Sequence, residues 1–338
     1  MATFNDVFER KEVKYVLNEE QYQQMIQLIS SRMGQDSYGE TTITSIYYDT
    51  PYRDLISKSL EKPLYKEKLR VRHYGDFGKD DCVFIELKKK FKGIVYKRRI
   101  GVSRKAAQLF LDGVPYETAI KTYPFVAHDP AEEEKIFKLN TDAHSYRSKQ
   151  IANEISSFMD RYEHLTPSMA IICERAAWAP LPENLLEEPG EGMSSEGVIE
   201  GVPSLGGVQN MSAALNPNSA EGVRITFDRN IRFYDYRSQS LHGSYSGKAI
   251  LEPCPLQQQY IMKPGDTVME IKVGGSFPLW LVKALSICDA KPSSFSKYGS
   301  AYKHATYAQR EPLTFIQKIA QRAVLSETQS KKSSVLSA

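Results

Sequence analysis

The chain has 338 residues, with 44 Lys and Arg against 41 Asp and Glu and a net charge of +3. That length suits one large domain or two ordinary ones. The near-neutral balance excludes a general polycation, so any cation-rich site must arise by local clustering.

The four cysteines, Cys82, Cys173, Cys254 and Cys288, form no C-x-x-C pair. Their spacing argues against a zinc ribbon or a small disulfide scaffold and favours a reducing compartment. MATFNDVFERK lacks an apolar signal core. No run approaches the roughly 20 apolar residues that span a bilayer. The expectation is a cytoplasmic protein that would reach a membrane only through a partner.

Residues 8–17, FERKEVKYVL, read as a first strand. Asn18 and Gln21 form a capping-box pair, and Tyr22, Met25, Ile26, Ile29 and Met33 follow at helical spacing, with Gly34 as the stop. ITSIYYDTP is a strand and YRDLISKSL a short helix. Three cationic strands follow: LYKEKLRVRHY, DCVFIELKKKF and GIVYKRRIGV. Their short Gly- and Asp-containing turns predict antiparallel hairpins. From Ser103 to about Leu165 the pattern is helical, broken at residues 113–115 and near Pro130.

PSMAIICERAAW returns to strand. Residues 180–220 are rich in Pro, Gly, Ser, Glu and Asn and read as a flexible insertion loop, because strands resume directly after it. VRITFDRNIRFYDY and TVMEIKVGG are strands, PLWLVKALSIC a helix, and SSFSKYGSAYKHA a loop leading into a helix. Residues 1–310 therefore read as one domain. Residues 311–338 read as an amphipathic helix with a disordered tail.

The period-2 test gives nearly every strand a charged face. Arg10, Glu12 and Lys14 share one, as do Lys68, Arg70 and Arg72, then Glu86, Lys88 and Lys90, then Lys97 and Arg99. Arg224 and Asp228 flank Thr226, and Glu270 stands beside Lys272. One such face is ordinary wetted surface. Three neighbouring cationic strands would repel across the ladder unless an anion sat among them. A sheet closed around a wet lumen would give these faces one ligand and remove exposed edges. Rows of Arg and Lys suit a linear polyphosphate. Carboxylates interspersed among them suit Mg²⁺ or Mn²⁺. Glu270 is the first candidate, then Glu12 and Glu86, for which an internal salt bridge is an equal reading.

FERKEVKY, YYDTP, LRVRHYG, VFIELKKK, YKRR, ERAAW, VRITFD, MEIKV and SFSKY, in that order, resemble the VTC-type polyphosphate polymerase domain of the triphosphate tunnel metalloenzymes, the CYTH superfamily. The resemblance covers roughly residues 5–305 apart from the insertion. It implies an α+β fold: an antiparallel eight-stranded tunnel, a closed barrel, flanked by helices. It implies transfer of the γ-phosphoryl of ATP to a growing polyphosphate chain with release of ADP, assisted by Mn²⁺ or Mg²⁺.

Matched motif by motif, the catalytic set would be Lys14, Arg70, Arg72, Lys88, Lys97 and Glu270. Arg10, Arg99, Arg175, Arg224, Lys272, Ser296 and Lys297 would add phosphate contacts, and Glu270, Glu12 and Glu86 would be the metal candidates. Triphosphatases and adenylate cyclases of the superfamily begin E-x-E-x-K, whereas here the face reads Arg10, Glu12, Lys14. The cation at position 10 favours the polymerase branch. A triphosphatase on the same scaffold and a non-catalytic polyphosphate-binding module are the alternatives. No nucleic acid is expected, since no helix-turn-helix or RRM signature is present. HGSYSGKA at 242–249 lacks a spacer and the final Ser or Thr of a P-loop.

Overall fold

The structure, a computed structural model, describes residues 11–75, 82–92, 94–162, 164–181, 222–237 and 258–308. Arg10, the insertion at 182–220, the 242–249 segment and the C-terminal 311–338 segment lie outside the described residues.

Strand β1 (Lys11–Leu17) leads into helix α1 (Glu19–Ile29). The predicted capping box is present: Gln21 N–H donates to Asn18 Oδ1 at 2.8 Å, and Asn18 N–H donates to Gln21 Oε1 at 3.1 Å. The helix ends four residues earlier than its spacing suggests. Met33 opens strand β2 (Met33–Asp49), and Gly34 lies in a ladder opposite Ala179. Gly34 marks a close approach, not a helix stop, because a Cβ there would meet Leu181 Cδ2 at 2.9 Å.

Helix α2 (Asp54–Leu60) precedes the cationic strands β3 (Tyr65–Tyr74), β4 (Cys82–Phe91) and β5 (Ile94–Ser103). Helices α3 (Arg104–Leu111), α4 (Tyr116–Thr122), α5 (Glu133–His144) and α6 (Tyr146–Asp160) follow, with a 3₁₀ turn at Pro130–Glu132. Long strands β6 (Thr166–Pro180) and β7 (Arg224–Asp235) come next, then β8 (Gln259–Tyr260), β9 (Thr267–Val273), α7 (Leu279–Ile287), β10 (Pro292–Ser293) and α8 (Lys297–Ala308). The two-residue β8 and β10 carry no periodicity to read. Among the described residues no helix is long and apolar enough to cross a membrane.

All strands join one ten-stranded antiparallel sheet in the order β10-β1-β9-β7-β6-β2-β3-β4-β5, with β8 beside β7. The α+β class holds. The closed eight-stranded barrel does not: among the described residues no ladder joins β5 to β1 or β10, so the sheet is open at that seam. At that seam the first half of β5 is exposed throughout residues 94–98.

The sheet nevertheless curls. Lys88 on β4 lies within electrostatic reach of Glu12 and Lys14 on β1 and Glu270 on β9, strands that stand near the opposite end of the sheet order.

Alternation sends apolar side chains outward from the curl into two cores. On one flank Leu69, Val71, Ile85 and Leu87 pack with Ala106, Phe110, Ile155 and Phe158 of α3 and α6. On the other, Tyr15, Phe227, Met269 and Ile271 pack with Met25 and Ile29 of α1 and Leu281 of α7. His73 is buried on the outward, apolar face of β3 as its register requires. A third core lies inside the curl at one end, where Tyr298, Ala301 and Ala305 of α8 meet Tyr47, Ile171, Phe233 and Val268.

Candidate functional site: a cationic cradle inside the curled sheet

The inward faces of β3, β4 and β5 form the first wall. Strict register places Arg70 opposite Glu86 and Lys68 opposite Lys88, then Glu86 opposite Arg99 and Lys88 opposite Lys97. Glu86 is fully buried and acts as the hub. Its Oε2 lies 2.6 Å from an Arg70 terminal nitrogen and accepts Arg70 Nε–H at 2.7 Å. Lys97 Nζ stands 2.7 Å and Arg99 Nε 3.5 Å from Oε1, and Arg72 Nε stands 4.0 Å from Oε2. Burial pushes the Glu86 carboxyl up, but Arg70, Arg72 and Lys97 outweigh it and hold the carboxyl well below the usual carboxylate range.

The second wall comes from β6, β7 and α8. Arg175 donates to both oxygens of buried Asp228, Nε to Oδ1 at 2.5 Å and a terminal nitrogen to Oδ2 at 2.7 Å. Lys297 donates to the same Oδ2. Burial opposes ionisation of Asp228, and Lys297 and Arg175 overcome it. A β-bulge between Ile172 and Glu174 resets the register, so that Arg175 faces Asp228.

The third wall is β1 with β9. Lys14 stands opposite Glu270 in the ladder and Glu12 opposite Lys272. Lys272 Nζ is 2.9 Å and Lys14 Nζ 3.9 Å from Glu270, and Lys14 is 3.6 Å from Glu12. Burial raises the Glu270 carboxyl, but Lys272 and Lys14 bring it down to about 2.

Helix α8 ties these walls together. Tyr298 Oη donates to Asp49 Oδ2 at 2.9 Å, and its ring stacks on Tyr47 at 4.3 Å and 14°. Lys68 Nζ lies 5.7 Å from the Tyr298 ring centre. Arg70 donates to Tyr47 Oη at 3.2 Å. Asp49 also accepts from the backbone N–H of Thr50, Leu55 and Ile56, which fixes the start of α2. The hydroxyl of Tyr298 is therefore a fastener for buried Asp49. Tyr298→Phe should cost about 1–3 kcal/mol in urea unfolding, because a buried carboxylate loses a donor.

Most of the expected site residues come together here: Lys14, Arg70, Arg72, Lys88, Lys97, Arg99, Arg175, Glu270, Lys272 and Lys297. Three differ. Arg224 pairs with Asp36 at 3.0 Å and is half exposed at the rim. Ser296 caps α8, its Oγ accepting Gly299 N–H at 3.2 Å. Glu86 sits inside its own ring of cations, and among the described residues no three His, Cys, Asp or Glu side chains gather as a metal site.

Glu12 and Glu270, the other two metal candidates, both flank the Lys14 ammonium. Hard cations of the Mg²⁺ type are commonly held by one or two carboxylates plus substrate phosphates. Sequence reading did not assign Asp228, Lys68, Tyr47 or Tyr298 to the site. Their signals are the Asp closing VRITFD, the first Lys of EKLRVR and the tyrosines of IYYDTP and SFSKY.

Lys68 and Lys88 make no ion pair within 4.0 Å among the described residues. Burial followed by neighbouring Lys66 and Lys88, partly offset by Tyr47, lowers Lys68 to about 8. Burial also lowers Lys88. The next rung outward, Lys66 opposite Lys90, repeats the pattern. Like charges directly opposite in a ladder destabilise it. The cradle therefore carries positive charge that its own carboxylates do not neutralise.

No protein with a curated description matches the chain. Among solved structures, a protein from Vibrio parahaemolyticus named as a putative adenylate cyclase aligns over 87% of this chain and 97% of its own, at 9% identity and a TM-score of 0.34. A likeness that low bears on neither fold nor function. The VTC domain matches residues 9–183 and 213–306, which is most of the chain and takes in every wall of the cradle. The chain belongs to the VTC domain family.

Proposed function

We propose that the chain is a polyphosphate polymerase, transferring the γ-phosphoryl of ATP to the end of an inorganic polyphosphate chain with release of ADP. The observation that carries this reading is the pair of Lys–Lys rungs, Lys68/Lys88 and Lys66/Lys90, lying in line along one wall with no ion pair within 4.0 Å among the described residues. A single phosphate would need one such cluster. A row of them fits an anion with charge repeated along its length.

The chemistry asked of the protein is positioning and charge stabilisation. The bond from the γ-phosphorus to the bridging β,γ-oxygen breaks and ADP leaves with that oxygen. A terminal oxygen of the acceptor chain forms the new P–O bond. Arg70, Arg72, Lys97 and Arg99, preset by Glu86, hold the triphosphate through planar forks and a point charge. Arg175 and Lys297, preset by Asp228, face them. Because these donors are already oriented, little reorganisation is needed as charge moves. Glu270 with Glu12 would hold Mn²⁺ or Mg²⁺, which would neutralise phosphate oxygens. No Ser or Cys nucleophile is required, and Cys173, though buried in the cradle, has its thiol pushed up by burial and by Asp228.

The test is the product. Purified protein with ATP and Mn²⁺ should yield ADP and a ladder of polyphosphate on a gel. Orthophosphate as the sole phosphate product would make it a triphosphatase. Tight tripolyphosphate binding with no ADP would make it a binding module.

A further inference from the structure

The hairpin joining β4 and β5 carries a feature that the cradle does not use. At its tip Phe91 and Ile94 are 44% and 45% exposed, and Val95 and Tyr96 follow, equally open. The start of β3 lies against this tip: Lys92 N–H donates to Leu64 O at 3.0 Å, Tyr65 stands opposite Phe91, and Leu64 is 72% exposed. Six large apolar or aromatic side chains thus crowd one projection. Further along β5, Ile100 and Val102 are buried, so the exposure belongs to the tip alone.

The tip is ringed by cations. Lys62, Lys66, Lys90 and Lys92 make no ion pair within 4.0 Å among the described residues. Lys66 lies close enough to Lys90 and Lys62 that, after burial, these are what depress it. Lys89 and Arg98, nearer the body, are neutralised by Glu154 at 2.6 and 3.0 Å. The unneutralised charge therefore gathers where the apolar groups are.

We propose that this tip is a docking wedge for an anionic lipid bilayer. Successive residues 94–96 are exposed on both faces of the ribbon, so the apolar side chains point in two directions, and a rigid protein partner would have to enclose the tip from both sides. A bilayer interface deforms around a wedge and accepts Phe, Ile and Leu below the headgroups and Tyr at their level. Each lysine near an anionic leaflet adds attraction, and the long lysine stems let ammonium groups reach headgroups while the tip inserts. Lys66 and Lys90 also form the outer rung of the cradle, whereas Lys62, Lys92 and the apolar side chains of the tip belong to no cradle wall, so the variants that test the wedge are made at those positions. Direct docking differs from the expectation that membrane contact would require a partner, and the vesicle experiment decides between them.

The experiment is co-sedimentation of the full chain with vesicles of equal parts phosphatidylcholine and phosphatidylserine, against phosphatidylcholine alone. Binding should require phosphatidylserine and weaken with salt. Phe91→Asp with Ile94→Asp, and separately Lys62→Glu with Lys92→Glu, should each reduce it at least about tenfold, with circular dichroism and melting temperature unchanged. Equal binding by the Asp variant would overturn the proposal, as would no binding to phosphatidylserine vesicles at low salt. Loss of binding on saturation with tripolyphosphate, with the tip variants unaffected, would assign the charge to the cradle instead. Concentration-dependent dimers abolished by the Asp variant, without vesicle binding, would make the tip a contact between copies and overturn it too.

Discussion

Glu86→Gln should destabilise the ligand-free protein by about 3–5 kcal/mol, the cost of removing one partner from a buried charge cluster. Glu86 is fully buried, and Arg70 and Arg72 beside it are only 16% and 12% exposed. A neutral amide leaves those guanidinium groups and the ammonium of Lys97 without a counter-charge. Tripolyphosphate supplies negative charge to the same groups, so it should raise the stability of the variant by more than it raises that of the wild type. Urea unfolding with and without tripolyphosphate measures both effects.

If Glu86 were instead a metal ligand, the variant would lose its response to Mn²⁺ and show no excess rescue by phosphate. Unfolding indistinguishable from wild type would sink the hub role. The pH dependence has a definite sign. The folded carboxyl is depressed below its ordinary 4.5, so its contribution is complete above that pH and is lost as pH falls toward the folded value.

The parts of this fold legible in the sequence are those with a strict period. Alternation in LRVRHYG and FIELKKK assigned Arg70, Arg72, Glu86 and Lys88 to charged faces, and the antiparallel hairpins followed from the turn residues. The capping box at Asn18 was readable because it is a local exchange of two hydrogen bonds. What the sequence concealed is pairing between elements far apart in the chain. Asp228 joins Arg175 and Lys297 across 53 and 69 residues, and Asp49 meets Tyr298 across 249. The Ile172/Glu174 bulge shifts a register that alternation alone would have carried straight through.

Closure of the barrel was inferred from charge, on the argument that cationic faces need a shared interior. Curling alone meets that need. Gly34 misled for a different reason: a glycine after a helical run signals a stop, whereas here a neighbouring side chain leaves no room for Cβ.

Affinity for tripolyphosphate should fall as pH rises through about 8, and Lys68→Met should remove most of that dependence. In the free protein burial lowers Lys68 to about 8. An anion bound beside it favours the ammonium and returns its pKa toward the ordinary lysine value of 10.5. Between those two values binding must be accompanied by proton uptake. The association constant then falls by up to about tenfold per pH unit for one proton.

Tyr47 acts in the same direction. Burial raises its phenol, but Arg70, Lys68 and Arg72 bring it down to about 8, so above that pH it adds a negative charge to the cradle wall. Tyr47→Phe should therefore flatten the curve in part and leave the share due to Lys68. The last proton of tripolyphosphate titrates in the same range, so the informative quantity is the difference between variant and wild type with the same ligand, in which that proton cancels. Titration calorimetry in two buffers of different ionisation enthalpy counts the protons directly. Uptake at pH 9 that is equal in wild type and Lys68→Met would remove Lys68 from the binding surface. Loss of uptake in Lys68→Met alone would place the phosphate chain against the β3–β4 wall, where the unneutralised rungs lie.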